Sequence, residues 1–273
     1  MALATSVDDA AARRALGEVS TRLVELIRTM PRPDAPALGE WNAEQVAQHL
    51  AHVWEVLPRL ARRQIDSWLD HPADLEPFTS ALVKADQNPR DPATSAARIR
   101  TAADAYLAAP VEDAAPRPWM FAGIQLPAAA FTCHLLNESL VHGHDIARSQ
   151  GLRWRIEPAH AALAIRGFLL ASLQAVDPRF PVDQEHAAGV HACYDVRIRG
   201  CARFHLLFED GAVAVEPPSA RRVDWHVSAD PTTFFLVVWS RITPWRPLLT
   251  GRLRGWGRRP SLGPRLTRMM KNP

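Results

Sequence analysis

The sequence has almost no lysine: two of its 32 basic residues, so that arginine carries nearly all the positive charge. With abundant alanine and proline, that usage reflects a GC-rich coding sequence more than a nucleic-acid surface, and no nucleic-acid-binding motif accompanies it. Cysteine is scarce too. Cys133, Cys193 and Cys201 are odd in number and lack CxxC spacing, which argues against a disulfide framework and a cysteine-rich zinc site and fits a reducing cytoplasm. No apolar run approaches the roughly 20 residues of a membrane span. The longest, FLLASLQAV and FFLVVW, are far too short, and the opening MALATSVDDAAARR has neither the basic start nor the apolar core of a signal peptide. GIQLPAAAF and GWGRRPSLG hold too little glycine to cradle a phosphate, and no nucleophile-elbow serine occurs. The expectation is a cytoplasmic, non-membrane protein that is monomeric and binds no nucleic acid.

What is present is an ordinary globular composition, 47% hydrophobic and 22% charged, over 273 residues, a length that suits two domains. Net charge is only +3, yet the segment 241–273 has nine basic residues and no acid; solvent is the commonest partner of such a run. Leu16, Val19, Leu23 and Leu26 give residues 6–30 a helical period that ends at PRPDAP. Asn42 and Gln45 form a capping-box pair, with Trp41 placed to staple onto Val46, so a second helix is expected from Ala43 to about Leu69. Residues 92–109 and 127–150 read as two more helices. After a further helix over 158–176, ACYDVRIRG, CARFHLLFED, AVAVEP and RRVDWHVSAD read as strands, and PTTFFLVVWSRI and PSLGPRLTRMM as helices. The organisation read from this pattern is an all-α four-helix bundle over residues 1–154 and an α+β domain over 155–273.

The chemistry concentrates in HLLNESLVHGHD, residues 134–145. On a helix, His134, Glu138, His142 and Asp145 fall on one stripe together with Phe131, Leu135 and Ile146, a stripe that faces the core. A carboxylate and imidazoles buried there need a partner. A divalent metal is one: Glu and His four residues apart on a helix can bind the same ion. In the second helix His49 lies close to the direction of Val46, Leu50, Val53 and Leu57, whereas His52 sits further round. His49, Glu138 and His142 are therefore the expected ligands, and two histidines with one glutamate leave positions open for water or an incoming thiol, as in catalytic zinc sites. Against this stands the commoner fate of such residues, a hydrogen-bonded core histidine or a chance Glu–His pair on an exposed helix. His134 and Asp145 are expected to support the ligands, Asp145 by orienting an imidazole. His144 is expected to point away, and His52, His71 and His160 to lie at the surface. No cysteine has neighbours that would lower its thiol pKa, so any thiol chemistry needs a thiol brought in by a small molecule.

EWNAEQVAQHLAHV, followed about ninety residues later by NESLVHGHDIARSQG, resembles the mycothiol-dependent maleylpyruvate isomerase family. DVRIRG, HVSADPTTFFLVV and LLTGRLRGWG resemble the sterol carrier protein-like domain that often follows in that family, so the resemblance covers nearly the whole chain. It implies a DinB-like metal-binding four-helix bundle and a sterol carrier protein-like α+β domain. It also implies a metal, usually zinc, held by the histidine of the HLA segment and by the Glu and His of E-x-x-x-H-x-x-D, which are His49, Glu138 and His142 here. Mycothiol is the implied thiol cosubstrate. Its thiolate would add to an activated small-molecule substrate, leading either to cis–trans isomerisation or to S-transfer. The family's substrate arginine falls in TGRLRG, with Arg252 as candidate among several neighbouring arginines. His134, four residues before the glutamate, stands as an additional or alternative ligand, and the preference among zinc, nickel and iron lies beyond the sequence. The competing reading is a non-catalytic, metal-stabilised protein whose C-terminal domain binds an apolar ligand.

Overall fold

The computed structural model describes residues 5–109 and 115–271. The chain forms two compact units, one from Val7 to Ile156 and one from Glu157 onward that also takes in Ser6.

In the first unit α1 (Asp9–Arg28) opens on the Asp8 side chain, which accepts from the Ala10 amide at 3.1 Å. It buries Leu16, Val19, Leu23 and Ile27 completely. A short antiparallel pair, β1 (Pro36–Leu38) and β2 (Trp41–Asn42), leads into α2 (Ala43–Ala61). The capping box is formed: Gln45 N–H donates to Asn42 Oδ1 at 2.9 Å and Asn42 N–H to Gln45 Oε1 at 3.0 Å, satisfying two of the donors that a helix start leaves open. α2 stops at Ala61 rather than near Leu69 because Arg63 turns left-handed, at φ 53°, and the buried Arg117 guanidinium donates to the Ala61 carbonyl at 2.9 Å. A helix not anticipated from the sequence follows, α3 (Leu75–Ala85), with Val83 its one buried residue. α4 (Pro92–Ala108) starts on an Asp91 cap and a first-turn proline, as helix starts favour. A second pair, β3 (Arg117–Pro118) and β4 (Gln125–Leu126), precedes α5 (Ala128–Ser149). α1 and α2 each pack against both α4 and α5, and sixteen residues of α5 are buried, so its polar residues face protein on nearly every side.

In the second unit α6 (Pro158–Ala164) passes through a π turn at Ile165–Leu169 into α7 (Leu170–Ala175), and α8 (Gln184–Ala187) leads to the sheet. Its strands are β5 (Ala192–Ile198), β6 (Ala202–Glu209), β7 (Ala212–Glu216), β8 (Trp225–Ala229) and, after α9 (Pro231–Val238) and α10 (Trp245–Leu249), β9 (Leu253–Gly257), with α11 (Leu262–Met269) last. The order is β7-β6-β5-β8-β9, with β5 and β8 parallel and the other neighbours antiparallel. Period-two alternation sends Tyr194, Val196, Ile198, Phe204, Leu206 and Phe208 to the buried face. Asp195, Arg197, Arg203, His226, Ser228, Arg254 and Trp256 share the other. β9 was not expected as a strand; its glycines admit the Trp225 ring, since a Cβ on Gly255 would come within 2.9 Å of it. No helix among the described residues is long and apolar enough to cross a membrane.

Candidate metal centre

One turn of α2 and two turns of α5 bring three donors together: a ring nitrogen of His49, a Glu138 carboxylate oxygen and a ring nitrogen of His142 all lie within 4.8 Å of one another. Glu138 Oε2 is 3.6 Å from His49 Nε2 and 3.4 Å from His142 Nε2. Donors at zinc-bond lengths in a tetrahedron stand about 3.4 Å apart, so this set fits a small divalent ion. The His49 and His142 rings meet edge to face with centroids 5.0 Å apart, and Trp41 flanks His49 at 5.3 Å. The His49 and Glu138 side chains each keep 13% of their exposure, which leaves the centre reachable from solvent.

The surrounding groups fix the donors. Asp145 is fully buried and its Oδ2 lies 3.1 Å from His142 Nδ1. With Nδ1 held by Asp145, Nε2 is the ring nitrogen turned toward Glu138. The other carboxylate oxygen, Glu138 Oε1, faces His134 Nε2 at 3.5 Å and accepts from Asn137 Nδ2 at 3.3 Å. The Trp119 indole donates to His134 Nδ1 at 3.4 Å, which puts the proton of a neutral His134 on Nε2 and makes it a donor to Glu138. His134 thus stands outside the three-donor group. Trp119 is a contributor that sequence reasoning missed: it lies in a loop before β4, and only the tertiary fold carries it to α5.

Charge is distributed unevenly in this cluster. Burial opposes ionisation of Glu138, but hydrogen bonds from His134, His142 and His49 outweigh it and hold the carboxyl well below its usual range. Burial also opposes a charge on His142, yet Asp145 and Glu138 push its pKa up to about 9. His49 goes the other way, lowered by burial that Glu138 only partly offsets. One carboxylate, one charged and one neutral imidazole is the arrangement of a site in which a proton takes the place of a cation.

The remaining candidates are placed as follows. Arg252 lies in the second unit just before β9, 60% exposed, with Nε 3.2 Å from Asp230 Oδ2. His144 is half-buried. His52 is not a free surface residue: its Nε2 lies 3.0 Å from Asp86 Oδ2 and its side chain is 18% exposed. His71 is exposed and caps a short turn, accepting from the Ala73 amide. His160, expected at the surface, is buried at 9% exposure on α6, a helix that packs against α9. Burial pushes the Cys193 thiol up and the Cys201 thiol to about 11, so neither ionises readily.

No protein-family model matches the sequence, and no curated protein matches it. Sixteen solved chains match in structure. Two of them are the mycothiol-dependent maleylpyruvate isomerase, at TM-score 0.55 and 11% identity, and a histidine-to-alanine variant of that enzyme, at TM-score 0.56 and 10% identity. Each alignment covers 89% of this chain and 93% of the other. The helical first unit and the mixed-sheet second unit together have the fold of the mycothiol-dependent maleylpyruvate isomerase.

Proposed function

We propose that the protein is a metal-dependent enzyme of the maleylpyruvate isomerase type, with zinc as its metal and mycothiol as its thiol. The first unit is then a DinB-like four-helix bundle and the second a sterol carrier protein-like domain. The observation that carries this reading is the convergence of His49, Glu138 and His142 on one point within that fold. When bound, the cation supplies Lewis acidity that favours the thiolate of an incoming thiol.

The chain's own residues do the rest. His49 and His142 present Nε2 donors, Asp145 keeps His142 in the tautomer that can ligate, and Glu138 contributes charge. His134 is occupied as a donor to Glu138, which supports an open coordination position rather than one closed by a fourth protein ligand. Arg252 is assigned to the carboxylate of the substrate, for which a guanidinium fork is suited. Addition of the thiol to a conjugated double bond, rotation about the resulting single bond and expulsion of the thiol accomplish cis–trans isomerisation; S-transfer stops at the adduct.

The test is the metal content of the purified protein and of Glu138→Ala, followed by calorimetric titration of the metal-loaded protein with mycothiol. The reading expects about one metal per chain, lost in the variant, and thiol binding that depends on it. Equal metal content in both proteins removes the ligand assignment. Metal without thiol binding leaves the non-catalytic, metal-stabilised alternative.

A further inference from the structure

We propose that the polar face of the second unit's sheet binds a small organic oxyanion carrying two or more negative charges. Strand register sets out two rows of side chains across it. In the first, Arg203 of β6 stands opposite Arg197 of β5, which stands opposite Ser228 of β8, which stands opposite Arg254 of β9. In the second, Asp195, His226 and Trp256 follow one another across β5, β8 and β9. Together with Arg199 and Val227, these residues line a cleft of about 670 Å³, a size that accepts a small organic molecule.

The cleft has four arginines and a single carboxylate. Asp195 is already committed, accepting from Arg203 at 2.9 and 3.0 Å and meeting His226 Nδ1 at 3.0 Å. Arg199 donates to the Arg252 carbonyl at 2.9 Å. The guanidinium groups of Arg197 and Arg254 have no hydrogen bond or ion pair to any described residue. They are two strands apart, so their Cα atoms stand about 10 Å from each other with the Ser228 hydroxyl between them. Like charges gathered on one sheet face oppose the fold, and a doubly charged anion spanning Arg197 and Arg254 relieves that repulsion. Each guanidinium offers the planar fork that carboxylates and phosphates accept. The wall is built as well: His226 stacks on Trp256 at 5.2 Å and 9°, and Trp256 stays 51% exposed. That stack leaves His226 Nε2 without a partner among the described residues, available as a third polar contact.

Calorimetry on the full chain with inorganic pyrophosphate and with fumarate tests this. The expected result is one saturable, sub-millimolar site, weakened at least about tenfold in Arg197→Gln and in Arg254→Gln, as loss of a charge-assisted bond implies. It should be unchanged in Arg246→Gln, an exposed arginine on α10 outside the cleft. It should also persist in Glu138→Gln, which separates it from anion binding at the metal centre. Tighter binding of pyrophosphate assigns the site to phosphates, and tighter binding of fumarate assigns it to dicarboxylates. No saturation by about 10 mM, equal weakening by Arg246→Gln, indifference to both cleft variants, or tighter binding of a single-stranded oligothymidylate would each overturn the proposal.

Discussion

The Trp154 ring packs against the backbone of Gly143: a Cβ built on that glycine would fall 2.6 Å from the indole Cε2 and Cζ2 atoms. Gly143 directly follows His142, a candidate ligand, so the glycine lets a tryptophan approach α5 beside the candidate centre. The Arg22 guanidinium also stacks on the Trp154 ring, 4.5 Å from its centroid, and helps to hold it in place.

Gly143→Ala should therefore destabilise the protein despite the better helix propensity of alanine. The propensity gain is about 1 kcal/mol, and overpacking costs typically about 1–3 kcal/mol. With rigid aromatic atoms at 2.6 Å the steric cost is expected to win. Thermal melting checks it: an unchanged or raised Tm would show that Trp154 moves aside freely.

The elements legible in the sequence were those governed by local rules. The Asn42–Gln45 box needs only a spacing of three, and the α5 stripe needs only an unbroken 22-residue helix over which the period of 3.6 holds. His49 could be chosen over His52 because the apolar direction of α2 was already visible. What escaped depended on distant parts of the chain. α3 buries only Val83, so no apolar period announces it. β9 is spelled Leu-Arg-Gly-Trp-Gly, and its glycines make sense only once Trp225 is known to lie across them. Trp119 meets His134 from a loop, and the arginine rows of the sheet exist only through strand register, which a linear sequence does not display.

Glu44 gives a pH signature independent of the candidate metal ligands. It is 5% exposed, its Oε1 accepts from Ser95 Oγ at 2.9 Å, and burial pushes its carboxyl up to about 7. The folded state thus holds this proton more tightly than the unfolded chain, whose value is 4.5. The associated stability is fully present below pH 4.5 and is lost as pH rises to about 7. Glu44→Gln cannot titrate there, so its stability relative to the parent should rise by about 2–3 kcal/mol between pH 4 and 8. Urea unfolding of both proteins across that range is the measurement; a pH-independent difference would refute the assignment.

Arg252 is expected to matter for turnover and hardly at all for folding. Its pair with Asp230 is exposed, and such pairs contribute about 0–1 kcal/mol. Arg252→Gln should keep the melting temperature and the metal content of the parent while lowering kcat/KM for maleylpyruvate at least about tenfold, the scale of a lost charge-assisted bond. Unimpaired turnover in this variant would move the substrate contact to another arginine.

Asp145→Asn tests whether the carboxylate behind His142 tunes the centre. Asparagine keeps the shape but removes the charge that holds the Nδ1 proton of His142, 3.1 Å away. Outer partners of ligating histidines typically contribute about 10–100-fold in metal affinity. Competition with a chromophoric chelator should show a loss of that order, with the stoichiometry kept at one metal per chain because His49, Glu138 and His142 all remain. An affinity equal to the parent's would mean that the tautomer of His142 is set by packing alone. Complete loss of metal would make Asp145 part of the binding set itself, and with full burial of its side chain that outcome requires α5 to rearrange.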